Sequence, residues 1–139
     1  MKTIVIRPEQ YQMMKLYVQS IYPQEACGLL DGLNRALSTF YPIRNCLQST
    51  TGFMMEPMEQ LAAMQKIDSL GKEIVAIVHS HPTGPRYPSE TDLKENYYPG
   101  VDYLIWSFNG VDWQLAAFAL EKETYSELQV IIGVILNRG

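Results

Sequence analysis

Two histidines and one aspartate have the types and spacing of a metal site. His79 and His81 follow Ile74-Val75-Ala76-Ile77-Val78, an apolar and largely β-branched run that predicts a buried strand. Side chains at positions i and i+2 of a strand point to the same face, so both imidazoles can bind one ion. Ser89 is a good N-cap for a helix whose first turn would carry Asp92 back towards the histidines. Two imidazoles and one carboxylate leave the fourth tetrahedral position of zinc open for water, which is the pattern of a catalytic site.

A His-x-His pair alone is a weak indicator, because two histidines at this spacing are common by chance. Here they are the only two histidines of the chain, and both lie at the end of its most strand-like segment. Ser80, between them, points to the opposite face of the strand and is expected to be structural. Cys27 lies in an apolar run and is interpreted as a buried structural thiol rather than a nucleophile or a fourth ligand. Cys46, in a polar loop, receives no role.

The stretch from His79 to Asp92 also resembles a known motif. His79-Ser80-His81-Pro82, followed by Pro88-Ser89 and Asp92, is similar to the His-Ser/Thr-His-Pro and Ser-x-x-Asp elements of the JAMM/MPN+ (Mov34/MPN/PAD-1) zinc metallopeptidases. Every fixed position is filled at the family's spacing. The resemblance implies a short, prokaryotic-type member in which His79, His81 and Asp92 hold one zinc ion per chain, with a catalytic water. It also implies that the Ser89 hydroxyl, beside its role as N-cap, stabilises an oxyanion together with zinc.

Glu25 is the second residue for which the resemblance matters. From the residues alone, a glutamate between a helix and a strand is most simply a solvated acidic side chain. However, Glu25-Ala26-Cys27-Gly28-Leu29-Leu30 is similar to the glutamate and following apolar strand of JAMM proteins. The resemblance implies that Glu25 takes a proton from the zinc-bound water and passes it to the leaving amine, because one carboxylate can serve as both base and acid.

The function implied by the resemblance is hydrolysis of an amide or isopeptide bond at the C-terminal glycine of a ubiquitin-like (sulfur-carrier) protein with a Gly-Gly tail. Two alternatives stay open: a small-peptide metallopeptidase acting on fragments such as those of cell walls, and a non-catalytic MPN scaffold. A zinc deaminase is disfavoured, because the sequence lacks the His-x-Glu and Pro-Cys-x-x-Cys elements of those sites. The sequence leaves the oligomeric state, including a homodimer, open.

Composition limits the classes of function. The formal net charge of −4 and the pI near 5.1 argue against a nucleic-acid partner. The longest apolar stretch, from Val130 to Leu136, is far shorter than the roughly 20 residues that span a bilayer, so no membrane association is expected. The start of the chain has no apolar region of signal-peptide length, and two cysteines that form no Cys-x-x-Cys pair favour a reducing, cytoplasmic setting. Residues 1–139 are expected to form one domain.

The elements that must position these residues can be read from periodicity and turn signals. The pattern predicts helices over Pro8–Tyr22, Pro57–Leu70 and Glu90–Tyr98, and strands over Thr3–Ile6, Ala26–Leu30, Leu37–Ile43, Ile74–Val78, Val101–Phe108, Trp113–Leu120 and Tyr125–Leu136. A turn at Asp31–Asn34 and a short strand at Phe53–Met55 are also expected. Interspersed strands and helices indicate an α/β fold, a three-layer α-β-α sandwich around a mixed sheet. The resemblance implies the same, a cytidine-deaminase-like JAMM/MPN fold.

Overall fold

The structure, a computed structural model, describes residues 2–33, 36–95, 98 and 100–134. Within these residues there are seven strands and three helices, in the order β1 (Thr3–Ile6), α1 (Pro8–Ile21), β2 (Cys27–Leu33), β3 (Ala36–Ile43), α2 (Pro57–Ser69), β4 (Glu73–His81), α3 (Glu90–Lys94), β5 (Asp102–Phe108), β6 (Trp113–Glu121) and β7 (Thr124–Ile132). None of these helices is long and apolar enough to cross a membrane.

The strands form one mixed sheet that closes on itself. Its order is β1-β3-β2-β4-β5-β6-β7, and β1 pairs in parallel with both β3 and β7. Strands β4 and β5 are also parallel, whereas the remaining neighbours are antiparallel. The predicted mixed sheet is therefore confirmed, but its closure into a barrel was not predicted.

The two faces of the sheet carry separate apolar cores, each covered by a long helix. The first core contains the buried side chains of α1 together with one face of the strands, including Ile4, Ile6, Leu30, Val78, Leu104 and Trp106. The second core contains the buried side chains of α2 and the other face, including Leu29, Ile43, Ile77, Ile105 and Phe118. Alternate residues of β4 enter opposite cores, as strand geometry requires. Helices on both faces give the predicted α-β-α layers.

Several predicted boundaries differ from the structure. Strand β2 continues through Asp31 and Gly32, so these residues do not form the predicted turn; Asn34 lies outside the described residues. The predicted strand at Phe53–Met55 is wrong, because only Met55 pairs, through an isolated bridge to Asn45. Helix α3 ends at Lys94 rather than Tyr98, and β7 ends at Ile132, with residues 135–139 outside the described range.

Candidate active site

The two histidines lie at the end of β4, in the middle of the sheet. Cys27 of β2 pairs with His79 on one side, and β5 pairs with both histidines on the other. Pairing with β5 extends the strand through His81, three residues beyond the predicted end. Because the two side chains share a face, their Nε2 atoms lie 3.0 Å apart. The structure therefore brings the two imidazoles together at the end of β4, as predicted.

Asp92 completes the cluster from the first turn of α3. Its Oδ2 lies 3.2 Å from Nε2 of His79 and 3.3 Å from Nε2 of His81. A capping box holds it there: Ser89 Oγ accepts from the Asp92 N–H at 3.0 Å, and the Ser89 N–H donates to Asp92 Oδ2 at 2.8 Å. The short helix therefore fixes Asp92 and Ser89 relative to each other and to the histidines.

The three donor atoms fit a tetrahedral metal ion. Donors at about 2.0–2.1 Å from zinc lie about 3.3–3.4 Å from one another, and the spacings of 3.0–3.3 Å here are close to that. The His81 Nδ1 lies 2.8 Å from the Pro85 carbonyl oxygen, which can only accept, so Nδ1 carries the proton and Nε2 is free to ligate. His79 stacks on Phe53, with ring centroids 4.7 Å apart, and its Nδ1 has no hydrogen-bond partner among the described residues.

The protonation states also suit ligation. Complete burial lowers the pKa of His79 despite the neighbouring Asp92. Burial alone would raise the pKa of Asp92, but the two histidines and the Ser89 N–H hold it well below its usual value. Burial would lower the pKa of His81, yet its hydrogen bonds to Asp92 and Pro85 outweigh this effect and raise it. An ionised Asp92 beside a neutral His79 is what a divalent metal requires, and any proton on His81 Nε2 would be released on binding.

Glu25, just before β2, faces the same cluster. It is only 5% exposed, so the alternative of a solvated acidic side chain is wrong. A carboxylate oxygen of Glu25 and nitrogens of both histidines lie within 4.8 Å of one another. Burial raises the pKa of Glu25 to about 7, with His81 opposing and Asp92 adding to the shift. A carboxyl with a pKa near neutrality is suited to accepting and returning a proton.

Two neighbouring cavities, which share lining residues, open beside the cluster. The first, of about 190 Å³, is lined by Glu25, His81, Ser89, Asp92 and the segments 50–53 and 83–85. The second, of about 250 Å³, is lined mainly by apolar and aromatic side chains and shares Phe53, Asp92 and Glu95 with the first. The donor atoms are therefore within reach of an extended substrate.

The residues expected to be structural have structural partners. Ser80 Oγ accepts from the Ala26 N–H at 2.8 Å, on the face of β4 opposite the histidines. Cys27 Sγ lies 3.3 Å from the Ile43 carbonyl oxygen, and burial raises the pKa of this thiol to about 12, so it is not a thiolate near neutrality.

Sequence reasoning missed three residues that shape the site. The Asn45 side chain donates to the Glu25 carbonyl oxygen, Phe53 stacks on His79, and the carbonyl of Pro85 orients His81. The only local signals are an asparagine in a polar loop and a proline after the histidines, which indicate turns but not their distant partners.

Comparison with known proteins agrees with this geometry. The family model described as prokaryotic homologs of the JAB domain matches residues 10–120. A desampylase from Pyrococcus furiosus is 36% identical over 132 residues, which cover 94% of this chain and 91% of the relative. A CysO-cysteine peptidase from Mycobacterium tuberculosis is 31% identical over 107 residues, covering 75% and 73%.

A solved structure is similar over nearly the whole chain. The solution structure of protein DSY2949 from Desulfitobacterium hafniense has a TM-score of 0.85 and 31% identity, and the match covers 96% of this chain and 94% of that protein. The motif at the end of β4, the mixed sheet between helices and the matching family model all agree. The chain belongs to the JAMM/MPN family, among the prokaryotic homologs of the JAB domain, as its His-Ser-His-Pro motif predicted.

Proposed function

We propose that the protein is a zinc-dependent metallopeptidase that hydrolyses an amide or isopeptide bond at the C-terminal glycine of a ubiquitin-like, sulfur-carrier protein. The observation that carries this proposal is a buried Glu25 carboxylate within 4.8 Å of the two histidine nitrogens that converge with Asp92. Relatives named desampylase and CysO-cysteine peptidase support a carrier protein as the substrate.

His79, His81 and Asp92 would hold the zinc ion, and Glu25 would stay free of it. The Asp92 oxygen is 3.2–3.3 Å from both imidazole nitrogens, close to the spacing of ligands around zinc, so Asp92 is assigned as the third ligand and Glu25 as the proton carrier. When bound, zinc lowers the pKa of a water molecule to about 7 and polarises a carbonyl group.

Glu25 and Ser89 supply the remaining chemistry. Glu25, with its pKa raised to about 7, accepts a proton from the attacking water and donates it to the leaving amine. Ser89 Oγ accepts from the Asp92 N–H, which leaves the hydroxyl proton free to donate to the oxyanion. The N-cap role and the oxyanion role of Ser89 are therefore compatible.

We expect a tail of two glycines to occupy the first cavity. Its lining includes Thr83, Gly84 and Pro85. A glycine carbonyl can approach the histidines without a side chain to place, whereas a valine at the last position would meet this lining. Strand addition beside the site would hold the extended tail.

The test uses a ubiquitin-like carrier ending in Gly-Gly, fused to or conjugated with a second protein. We expect cleavage after the last glycine by the zinc-loaded protein, with at least a roughly 10²-fold loss of kcat/KM when that glycine becomes valine, since a small misplacement of the scissile carbonyl has this effect. The Glu25→Gln variant, loaded with zinc, serves as the inactive control, because only the proton carrier is removed.

The alternatives predict other results in the same assay. A small-peptide hydrolase would cut short peptides as well as the folded carrier and at similar rates on the glycine and valine versions. A scaffold would cleave neither. Equal rates on the two tails would contradict the carrier substrate while leaving the zinc chemistry in place.

A further inference from the structure

Asn45 is a buried amide whose hydrogen-bonding positions are all filled. It is 6% exposed, and its Nδ2 donates to the carbonyl oxygens of Glu25 and Gly52, both at 3.0 Å. Its Oδ1 accepts from the backbone N–H groups of Leu47 and Met54, also at 3.0 Å. Two carbonyl partners and two N–H partners fix the orientation of the amide. One side chain thus joins Glu25 to the loop of residues 45–54.

The backbone of Glu25 is held on both sides. Its N–H donates to the Ser49 carbonyl oxygen at 2.7 Å, and its own carbonyl accepts from Asn45. The next residue, Ala26, exchanges hydrogen bonds of 2.8 and 3.0 Å with Ser80, which lies between the two histidines. Ser80 therefore fixes the position of Ala26 beside β4, while the 45–54 loop fixes the position of the Glu25 backbone. The carboxylate position depends on both attachments.

We propose that Asn45 is a positioning residue that holds the Glu25 carboxylate in the geometry required for proton transfer at the histidine–aspartate cluster. This proposal rests on the proposed function, in which Glu25 carries the proton. Loss of the tie to the Glu25 carbonyl would let this residue shift while the histidines and Asp92, which belong to other elements, stay in place. A displacement of about 1 Å is enough for a rate loss of about 10²-fold.

Asn45→Asp is the most selective variant. The aspartate has nearly the same shape, and its carboxylate still accepts from the N–H groups of Leu47 and Met54. It has no donors for the carbonyls of Glu25 and Gly52 and repels them instead. We expect kcat to fall by about 10²-fold with zinc content unchanged, because the three ligands belong to other elements. The hydrogen bond to Gly52, which lines the first cavity, is also lost, so any rise in KM is measured separately from the fall in kcat. Asn45→Ser, with a shorter side chain, gives the same expectation if the aspartate variant does not fold.

A double-mutant cycle separates positioning from general structural support. If Asn45 acts through Glu25, then Asn45→Asp should cause no further loss of kcat in a Glu25→Gln background. If Asn45 only supports the loop, the two losses should multiply. Asn109→Asp is the matched control. Asn109 also accepts from two backbone N–H groups, at 2.8 Å each, but in the β5–β6 turn, and the variant should keep wild-type kcat.

Amide hydrogen exchange gives a readout that needs no substrate. In zinc-loaded Asn45→Asp, the Glu25 amide should lose protection by at least about 10-fold, whereas the Ala26 amide, bound to Ser80, should keep it. Selective loss at Glu25 together with the fall in kcat supports the proposal. Wild-type kcat in a folded, zinc-loaded variant overturns it, and so does equal loss of protection at both amides. If the wild-type protein cleaves no carrier, the proposed function fails, and the exchange pattern alone decides whether Asn45 holds Glu25.

Discussion

Glu25 is a residue on which function and stability make opposite demands. Catalysis requires a buried carboxyl that is ionised near neutral pH, but burial raises its pKa from 4.5 to about 7. The folded state therefore holds its proton over a pH range in which the unfolded chain has released it. The contribution of Glu25 to stability is therefore highest below pH 4.5 and is lost as the pH rises through 7.

Glu25→Gln should accordingly stabilise the metal-free protein at alkaline pH. The neutral amide avoids the burial of charge, so we expect a gain of about 2–3 kcal/mol in the free energy of unfolding at pH 8. Below pH 4.5 the gain should vanish, because the wild-type carboxyl is then protonated in both the folded and the unfolded protein. Urea denaturation of chelator-treated protein at both pH values measures the difference.

The exposed Glu121 provides the control for that experiment, since Glu121→Gln removes a charge at the surface end of β6. It should change stability by less than about 0.5 kcal/mol at either pH. Equal stability of the wild-type protein and Glu25→Gln at pH 8 would mean that the Glu25 carboxyl is solvated.

For single residues, the sequence predicted which side chains the structure brings together, but not the residues that hold them in place. His79, His81 and Asp92 are recognisable because their spacing is local. Asn45 bonds to Glu25 across 20 positions, and no periodicity links the two. Hydrogen bonds between loops depend on the completed fold, so a single sequence does not reveal them.

At the scale of elements, the loop after β4 is anchored to the far side of the sheet. Arg86 forms two hydrogen bonds with Glu127 of β7, at 2.6 and 3.0 Å. The neighbouring Tyr87 stacks on Tyr125 and contacts the edge of Phe118. These contacts hold the loop whose Pro85 carbonyl orients His81. Sequence reasoning placed this loop but had no signal for a partner 41 positions away.

Glu127→Gln should therefore loosen the metal site more than it loosens the fold. The pair is partly exposed, so the change in unfolding free energy should be below about 1 kcal/mol. Because an orienting contact of a ligand is weakened, zinc affinity should fall by about 10-fold. Competition with a chromophoric chelator measures this affinity. Asp92→Asn removes a proposed ligand and should therefore show a larger loss of zinc affinity than Glu127→Gln.

Glu59→Gln is the matched control. Glu59, on the exposed surface of helix α2, also forms an ion pair with an arginine, Arg44. Zinc affinity in this variant should equal that of the wild-type protein. An equal loss of affinity in both variants would show that the effect is one of net charge rather than of the loop.

At the scale of the whole molecule, the layers could be predicted but the closure could not. Period-2 and period-3.6 patterns locate most strands and both long helices. Closure depends on β1, a strand of four residues that pairs with β3 on one side and with β7 on the other. Its partner residues around position 130 lie more than a hundred positions away, and a short apolar strand does not encode which edges it joins.

The shared sheet leads to a prediction about cooperativity. Every central strand contributes to both cores, so we expect residues 1–139 to unfold as one domain in a single transition. Fluorescence of Trp106 and Trp113, both in the first core, reports on that core, and pulsed modification of the Cys27 thiol reports on the second. Cys46→Ser removes the other thiol, which is partly exposed.

Ile6→Ala in the first core and Ile67→Ala in the second test this coupling. Both side chains are at most 2% exposed, so each variant should lose about 2–5 kcal/mol. If the sheet couples the cores, either substitution lowers the denaturation midpoint of both probes equally, because neither helix can detach while its shared strands stay paired. If Ile67→Ala lowers only the thiol midpoint, the face that carries the histidines unfolds independently. The metal site would then lie on a separate cooperative unit, contrary to this prediction.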